Sequence, residues 1–364
     1  LIMFRTFADM FKNKDIRNRI FFTLAMLFVF RFGSAITVPG VDVTELIKGM
    51  QDSSLFAMIN MLGGGGLEQL SIFAMGVGPY ITASIIIQLL SMDVIPALTE
   101  LAKGGATGKK QIDRYTRYLA VVLSFFQAST LVYSFSTQYK TLLVNGSGWA
   151  SILYVATLLT AGSMFILWIG DRISMKGIGN GVSMIIAAGI ISRLPYQFTT
   201  AWQTLVDPSN SSATFNGILT FGLYIVSYLL IIVFVVFMQT AERKIPIQYT
   251  SSTVTTRKKD MTYLPLKINS ASVIPVIFAS AIMVAPLQIC KMVWPAASWV
   301  KTLETYMGMQ TPVSLVIYVV LILLFTFFYT KLQVDPEKIA ENLGKSGTYI
   351  PGIRPGTETK EYVN

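Results

Sequence analysis

The side chains able to do chemistry are few and poorly placed for it. The chain has one cysteine, Cys290, and no histidine. A lone thiol forms no intrachain disulfide. Without imidazole there is no Ser-His-Asp triad and no His-containing zinc or haem site. Carboxylate or lysine chemistry remains, and it needs ionisable groups facing one another in a sheltered place. Asp171 and Glu242 stand just past the ends of apolar runs, and no acidic residue falls in the middle of one. Arg31 lies deep in such a run, but its long stem can carry the guanidinium back to the boundary. No catalysis, metal site or cofactor is therefore expected.

The elements that hold these residues are hydrophobic. Charged residues are 13% of the chain and hydrophobic ones 53%, with a mean hydropathy of +0.58. A soluble domain carries about 25% charged residues, so most of this surface must face lipid. Spans need roughly 20 apolar residues each. Eight stretches qualify or come close: 18–37, 71–92, 117–138, 150–170, 178–195, 217–239, 270–294 and 312–332. The first ends at Pro39-Gly40 without a small-residue cleavage pattern and reads as a span rather than a signal peptide. The fifth is short and interrupted by Gly181 and Gly189. The stretch 55–70, with Gly63, Gly64, Gly65 and Gly66, suits a re-entrant or pore-lining segment.

Charge tests this layout. The net charge is +10, and with the N-terminus inside, 23 of the 29 Lys and Arg residues fall on inside segments and five on outside loops. That asymmetry supports eight spans with both termini cytoplasmic. Without the fifth span, the basic loop 239–269 would move outside. Alternating hydroxyl and β-branched residues predict a hairpin in that loop. The tail 335–364 reads as an ordered, turn-rich loop, punctuated by Pro351-Gly352 and Pro355-Gly356.

Inside the spans the notable residues are aliphatic. Val77, Ile81 and Ile85 recur at helical spacing on one face, as do Ile186 and Ile190. By itself such a stripe more often packs against neighbours or lipid than lines a pore.

Longer strings carry more. Gly-Val-Gly-Pro-Tyr-Ile-Thr-Ala-Ser-Ile-Ile-Ile-Gln-Leu-Leu (76–90), Gly-Lys-Lys-Gln-Ile-Asp-Arg-Tyr-Thr-Arg-Tyr (108–118) and Lys-Gly-Ile-Gly-Asn-Gly-Val-Ser (176–183) closely resemble the SecY family of protein-translocase pore subunits. So do Leu-Pro-Leu-Lys-Ile-Asn (264–269), Val-Ile-Pro-Val-Ile-Phe-Ala-Ser (273–280) and Asn-Leu-Gly-Lys-Ser-Gly-Thr-Tyr-Ile-Pro-Gly-Ile-Arg-Pro-Gly (342–356). They fall in order along nearly the whole chain.

The resemblance implies an all-α membrane bundle, a two-halved clamshell around an hourglass pore with a lateral gate toward lipid. Its halves would be residues 1–195 and 196–364. Unfolded secretory chains would pass through the pore, and signal sequences and membrane helices would leave sideways. The waist maps onto Val77, Ile81, Ile85, Ile186, Ile190 and Ile277. Branched aliphatic side chains there would oppose ion passage by dewetting. The gate cluster maps onto Thr82, Gln127 and Asn269, and segment 55–70 onto the plug. Arg243, Lys244, Lys258 and Arg354 fall in the loops that would dock the ribosome or the SecA motor. SecE and SecG are the implied partner subunits, the bacterial plasma membrane the implied location, and anionic lipid a further expected contact for the basic loops. Family members have ten spans, so two are expected to be missing after Asn364, and loop 245–260 departs from the usual pattern. A secondary transporter and a poreless insertase or scaffold are the rival classes.

Overall fold

The computed structural model describes residues 12–44, 66–67, 69–91, 95–138, 142–144, 148–206, 211–249, 262–294, 297–307, 311–334 and 336–363. Each of the eight apolar stretches contains a helix. The first is α1 (Lys14–Ser34), capped by Asn13, whose Oδ1 accepts the backbone N–H of Asp15 at 3.0 Å. Next come α2 (Gly78–Leu90), the short α3 (Pro96–Lys103), and α4 (Gly105–Gln138). Proline in the first turn starts both α2 and α3, where its missing N–H costs nothing. At 34 residues, α4 is roughly 50 Å long and exceeds the ~30 Å hydrocarbon core. Its first turns carry the exposed Lys109, Lys110 and Arg114, which suit water rather than lipid.

The chain continues through α5 (Trp149–Lys176), α6 (Gly181–Leu205) and α7 (Ser211–Thr240). A hairpin of β1 (Glu242–Tyr249) and β2 (Thr262–Lys267) follows, then α8 (Ile274–Val293), α9 (Ser298–Met307) and α10 (Pro312–Gln333). The tail forms α11 (Pro336–Lys345), β3 (Thr348–Tyr349) and α12 (Thr357–Val363). The expected hairpin is thus present. The tail departs from the expected loop by folding two helices around a strand, anchored by buried Ala340, Leu343 and Ile350.

Among the described residues, four helices are long and apolar enough to cross a bilayer: Thr107–Thr137, Trp149–Lys176, Thr214–Thr240 and Pro312–Lys331. Gly78–Leu90 and Ile274–Val284 are shorter apolar helices. These establish a multi-pass membrane protein, while the figure of eight spans stays an expectation. No residue in the most apolar part of α7 is buried. A helix apolar all round and open all round belongs in lipid.

Two compact units divide the chain: Leu1–Thr200 with Ala281–Leu315, and Ala201–Ser280 with Val316–Asn364. The first has two hydrophobic clusters. One joins Val38, Leu67, Leu70 and Ala74 to Leu131, Val132 and Phe135 of α4 and to Ile152, Val155 and Leu159 of α5. The other joins Phe30 of α1, Phe73 and Val77 to Ile166, Ile169 and Ile173 of α5 and Ile185 of α6. The Phe73 ring stacks on both Phe30 and Phe165, with centroids 6.3 and 5.9 Å away.

The second unit holds the sheet, in the order β2-β1-β3. β1 and β2 pair antiparallel from Glu242↔Lys267 to Ile247↔Thr262, and Gln248↔Tyr349 joins β3. Ile245 is buried, while Arg243, two residues away on the same strand face, and Lys244 on the opposite face are exposed. Phe278 of α8 meets Phe325 and Tyr329 of α10 edge-on, at 5.7 and 5.6 Å.

Candidate functional site

The start of α2 is built by hydrogen bonds from a distance. Gly76 has φ +54, a conformation that strains other residues. The buried hydroxyl of Ser163, on α5, donates to its carbonyl at 2.9 Å. One residue earlier on α5, a Cβ on Gly162 would collide with the carbonyl of Ile72. The two small residues therefore let α5 press directly on the backbone that leads into α2. Helix geometry begins at Val77, whose carbonyl accepts the N–H of Ile81 at 3.1 Å.

Three of the aliphatic residues assigned to the waist share one cluster. Val77 is 2% exposed within it, and Ile81 and Ile186 pack against it half-buried. Ile85 is buried and Ile190 half-buried on the same two helices. Ile277 lies on α8, in the second unit, and is half-buried. The turn from α5 to α6 fixes the height of Ile186. Asn180 Oδ1 caps α6 by accepting the N–H groups of Val182 (3.0 Å) and Ser183 (3.3 Å). Ser174 Oγ accepts the N–H of Gly181 at 2.8 Å. From α1, Thr23 Oγ1 accepts the N–H of Ile178 at 3.1 Å, and Arg19 donates to the Gly177 carbonyl at 3.4 Å. These positioning residues were not picked out in the sequence. Of them only Asn180 falls within a string singled out there, 176–183.

The polar residues assigned to the gate behave differently from one another. Thr82 donates to the Gly78 carbonyl of its own helix at 3.1 Å, and Gln127 is half-buried on α4. Asn269, in the second unit, donates to Gln239 Oε1 at 3.2 Å and accepts the backbone N–H of Ser272 at 3.0 Å. Gln239 in turn donates to Ser272 Oγ at 3.3 Å. Ser272 has φ +55, so this three-residue ring holds a strained bend between the hairpin and α8.

Of the residues assigned to the plug, Gly66 is buried, while Gly63, Gly64 and Gly65 lie outside the described residues. So does Lys258. The remaining docking residues belong to the sheet and tail of the second unit. The Arg243 guanidinium lies 6.0 Å from the ring centroid of Tyr362 on α12. Arg354 has an exposed side chain and a pinned backbone. Its N–H donates to Glu358 Oε2 at 3.2 Å, and its carbonyl accepts from Thr359 Oγ1 at 2.9 Å. Lys360 pairs with Glu337 at 3.0 Å, tying α12 to α11.

No group of three or more metal-ligating side chains occurs among the described residues. What the geometry offers is an aliphatic cluster at helix ends and an exposed basic module. This defines a mainly helical, multi-pass membrane protein.

The chain belongs to the SecY family, whose model matches residues 71–364. A protein translocase subunit SecY of Staphylococcus carnosus (strain TM300) is 43% identical over 362 residues, covering 99% of this chain and 84% of the relative. A SecY of Staphylococcus epidermidis (strain ATCC 12228) is 44% identical over 363 residues, with the same coverage. A solved structure of a protein conducting channel superposes with a TM-score of 0.64 at 17% identity, covering 95% of this chain and 80% of that one. An idle yeast Ssh1 complex bound to the yeast 80S ribosome gives 0.60 at 15% identity with the same coverage. At such identities these two show a shared fold.

Proposed function

We propose that the chain is the channel subunit of a protein translocase, conducting unfolded polypeptides through a waist formed by Val77, Ile81, Ile85, Ile186, Ile190 and Ile277. It is a channel and not an enzyme. The observation that carries the waist is the convergence of Val77, Ile81 and Ile186 on one cluster, where α2 and α6 both begin. Aliphatic side chains make no directional bonds, so they can close around any passing residue and dewet when none is present. Thr82, Gln127 and Asn269 are the proposed gate residues, and segment 55–70 the proposed plug, between halves 1–195 and 196–364.

A ribosome-bound relative supports ribosome association. We assign the docking surface to Arg243, Lys244, Lys258 and Arg354, with the SecA motor as the other occupant. SecE, SecG and anionic lipid complete the proposed partners. The location is the bacterial plasma membrane with the N-terminus cytoplasmic, consistent with the Lys and Arg asymmetry.

The test uses a stalled secretory chain and a single cysteine placed at Ile81 or Ile277. The expected result is a crosslink at both positions. No crosslink at either would sink the channel reading, and solute uptake by proteoliposomes lacking motor and ribosome would favour a secondary transporter.

A further inference from the structure

Away from the waist, the first unit has a surface recess of about 230 Å³, lined by Arg31, Ser34, Ala35, Gln69, Ser192, Arg193 and Tyr196. A single water occupies ~30 Å³ of liquid, so the recess holds a group several times larger. Arg31 stands in the last turn of α1. Arg193 stands on α6, just beyond its apolar run 184–191. The Arg193 end of the recess coincides with the end of a hydrophobic segment, where a bilayer gives way to headgroups. The long stem of Arg31 can carry its guanidinium to the same boundary. Tyr196, exposed at the rim, has the amphipathic ring that settles at that level.

Two arginines, with the Gln69 amide and the Tyr196 phenol on the same lining, match the chemistry of a phosphate. The Ser34 and Ser192 hydroxyls instead donate to carbonyls of their own helices at 2.8 Å. Each guanidinium fork can donate two parallel hydrogen bonds to phosphate oxygens. Exposed apolar surface adjoins Arg31 on its own helix. Phe28, one turn before Arg31, is 72% exposed, and Phe32 beside it is 64% exposed. An acyl chain could lie on that surface while its headgroup enters the recess.

We propose that this recess binds a phosphate group, either the headgroup phosphate of an anionic phospholipid or a free phosphate ion. The proposal rests on the membrane-spanning character of the chain and is independent of its transport role.

The test reconstitutes the translocase containing the full chain in vesicles carrying photoactivatable phosphatidylglycerol, and adducts are located by peptide mass spectrometry. Adducts are expected within 28–36 and 191–197. They should fall about tenfold in the Arg31→Gln, Arg193→Gln double variant, the loss of at least one charge-assisted contact. The Arg31→Lys, Arg193→Lys variant should fall in between, keeping the charges while losing the paired geometry. A yield no higher than that of the glutamine variant would argue against an anionic ligand. If the double variant does not fold, Arg193→Gln alone should show a several-fold fall. Inorganic phosphate that competes the adducts away assigns the site to the free ion, and failure to compete assigns it to lipid. Unchanged adduct yield in the folded glutamine variants overturns the proposal. Polypeptide crosslinking at Ile81 is scored separately, so failure of the recess and failure of the channel reading give different results.

Discussion

The amide of Asn269 and the amide of Gln239 meet at 3.2 Å, although thirty residues and a β-hairpin separate them in the chain. Asn269 also accepts the Ser272 N–H, so one side chain closes the hairpin base and supports a left-handed residue. A side chain assigned to gating from sequence is thereby engaged within its own unit. Any cross-gate bond it makes must compete with these two.

Replacing Asn269 with Ala should therefore have a local structural effect besides any gating phenotype. The expected cost is about 1–2 kcal/mol, comparable to losing a helix cap. Faster amide exchange over 262–273 would report it. A double-mutant cycle with Gln239→Ala should show coupling, and strictly additive effects would argue against the contact.

Ile81→Ser and Ile186→Ser, alone or together, should raise the resting ion conductance of the reconstituted channel. Hydroxyls wet a constriction that branched aliphatic groups keep dry. Unchanged conductance in planar bilayers would remove both residues from the proposed waist.

Gly162→Ala should destabilise the first unit by about 2 kcal/mol or more, since the new methyl meets the rigid carbonyl of Ile72 rather than a movable side chain. Gly222→Ala is the control. It sits on α7 with nothing within 4 Å of its added Cβ. There alanine should be neutral or add up to about 1 kcal/mol of helix stability. Thermal unfolding in detergent distinguishes the two.

Arg354→Ala should weaken ribosome or motor binding with little loss of stability, because its backbone contacts to Glu358 and Thr359 do not need the side chain. The affinity should also become less salt-dependent, as expected when one exposed cation is removed. Equal binding by variant and parent would exclude Arg354 from the docking surface.

Much of this organisation could be read from residue patterns. Each of the eight apolar stretches contains a helix, and four helices among the described residues are long and apolar enough to cross a bilayer. Alternation in loop 239–269 marked the hairpin. Spacing alone left Val77 and Ile81 unconnected to Ile186; the family resemblance joined these three, and they do share a cluster. The helices α3 and α9 were missed because each spans about two or three turns of mixed polarity, which a membrane-length window averages away. The tail helices were hidden by the Pro-Gly pairs around them. Contacts such as Ser163 to Gly76 and Thr23 to Ile178 join residues 87 and 155 positions apart, and no periodicity records them.

Val77 deserves a last consequence. It is almost wholly enclosed by Phe30, Phe73 and the isoleucines of α5, yet it is also proposed to stand at the narrowest part of the conduit. In that arrangement the seal and the scaffold are the same atoms. A substitution that loosens the barrier also weakens the body that shapes it, so leaky variants should be fragile ones. Selection for ion tightness and selection for folding would then act on one trait, leaving little room for either to drift alone.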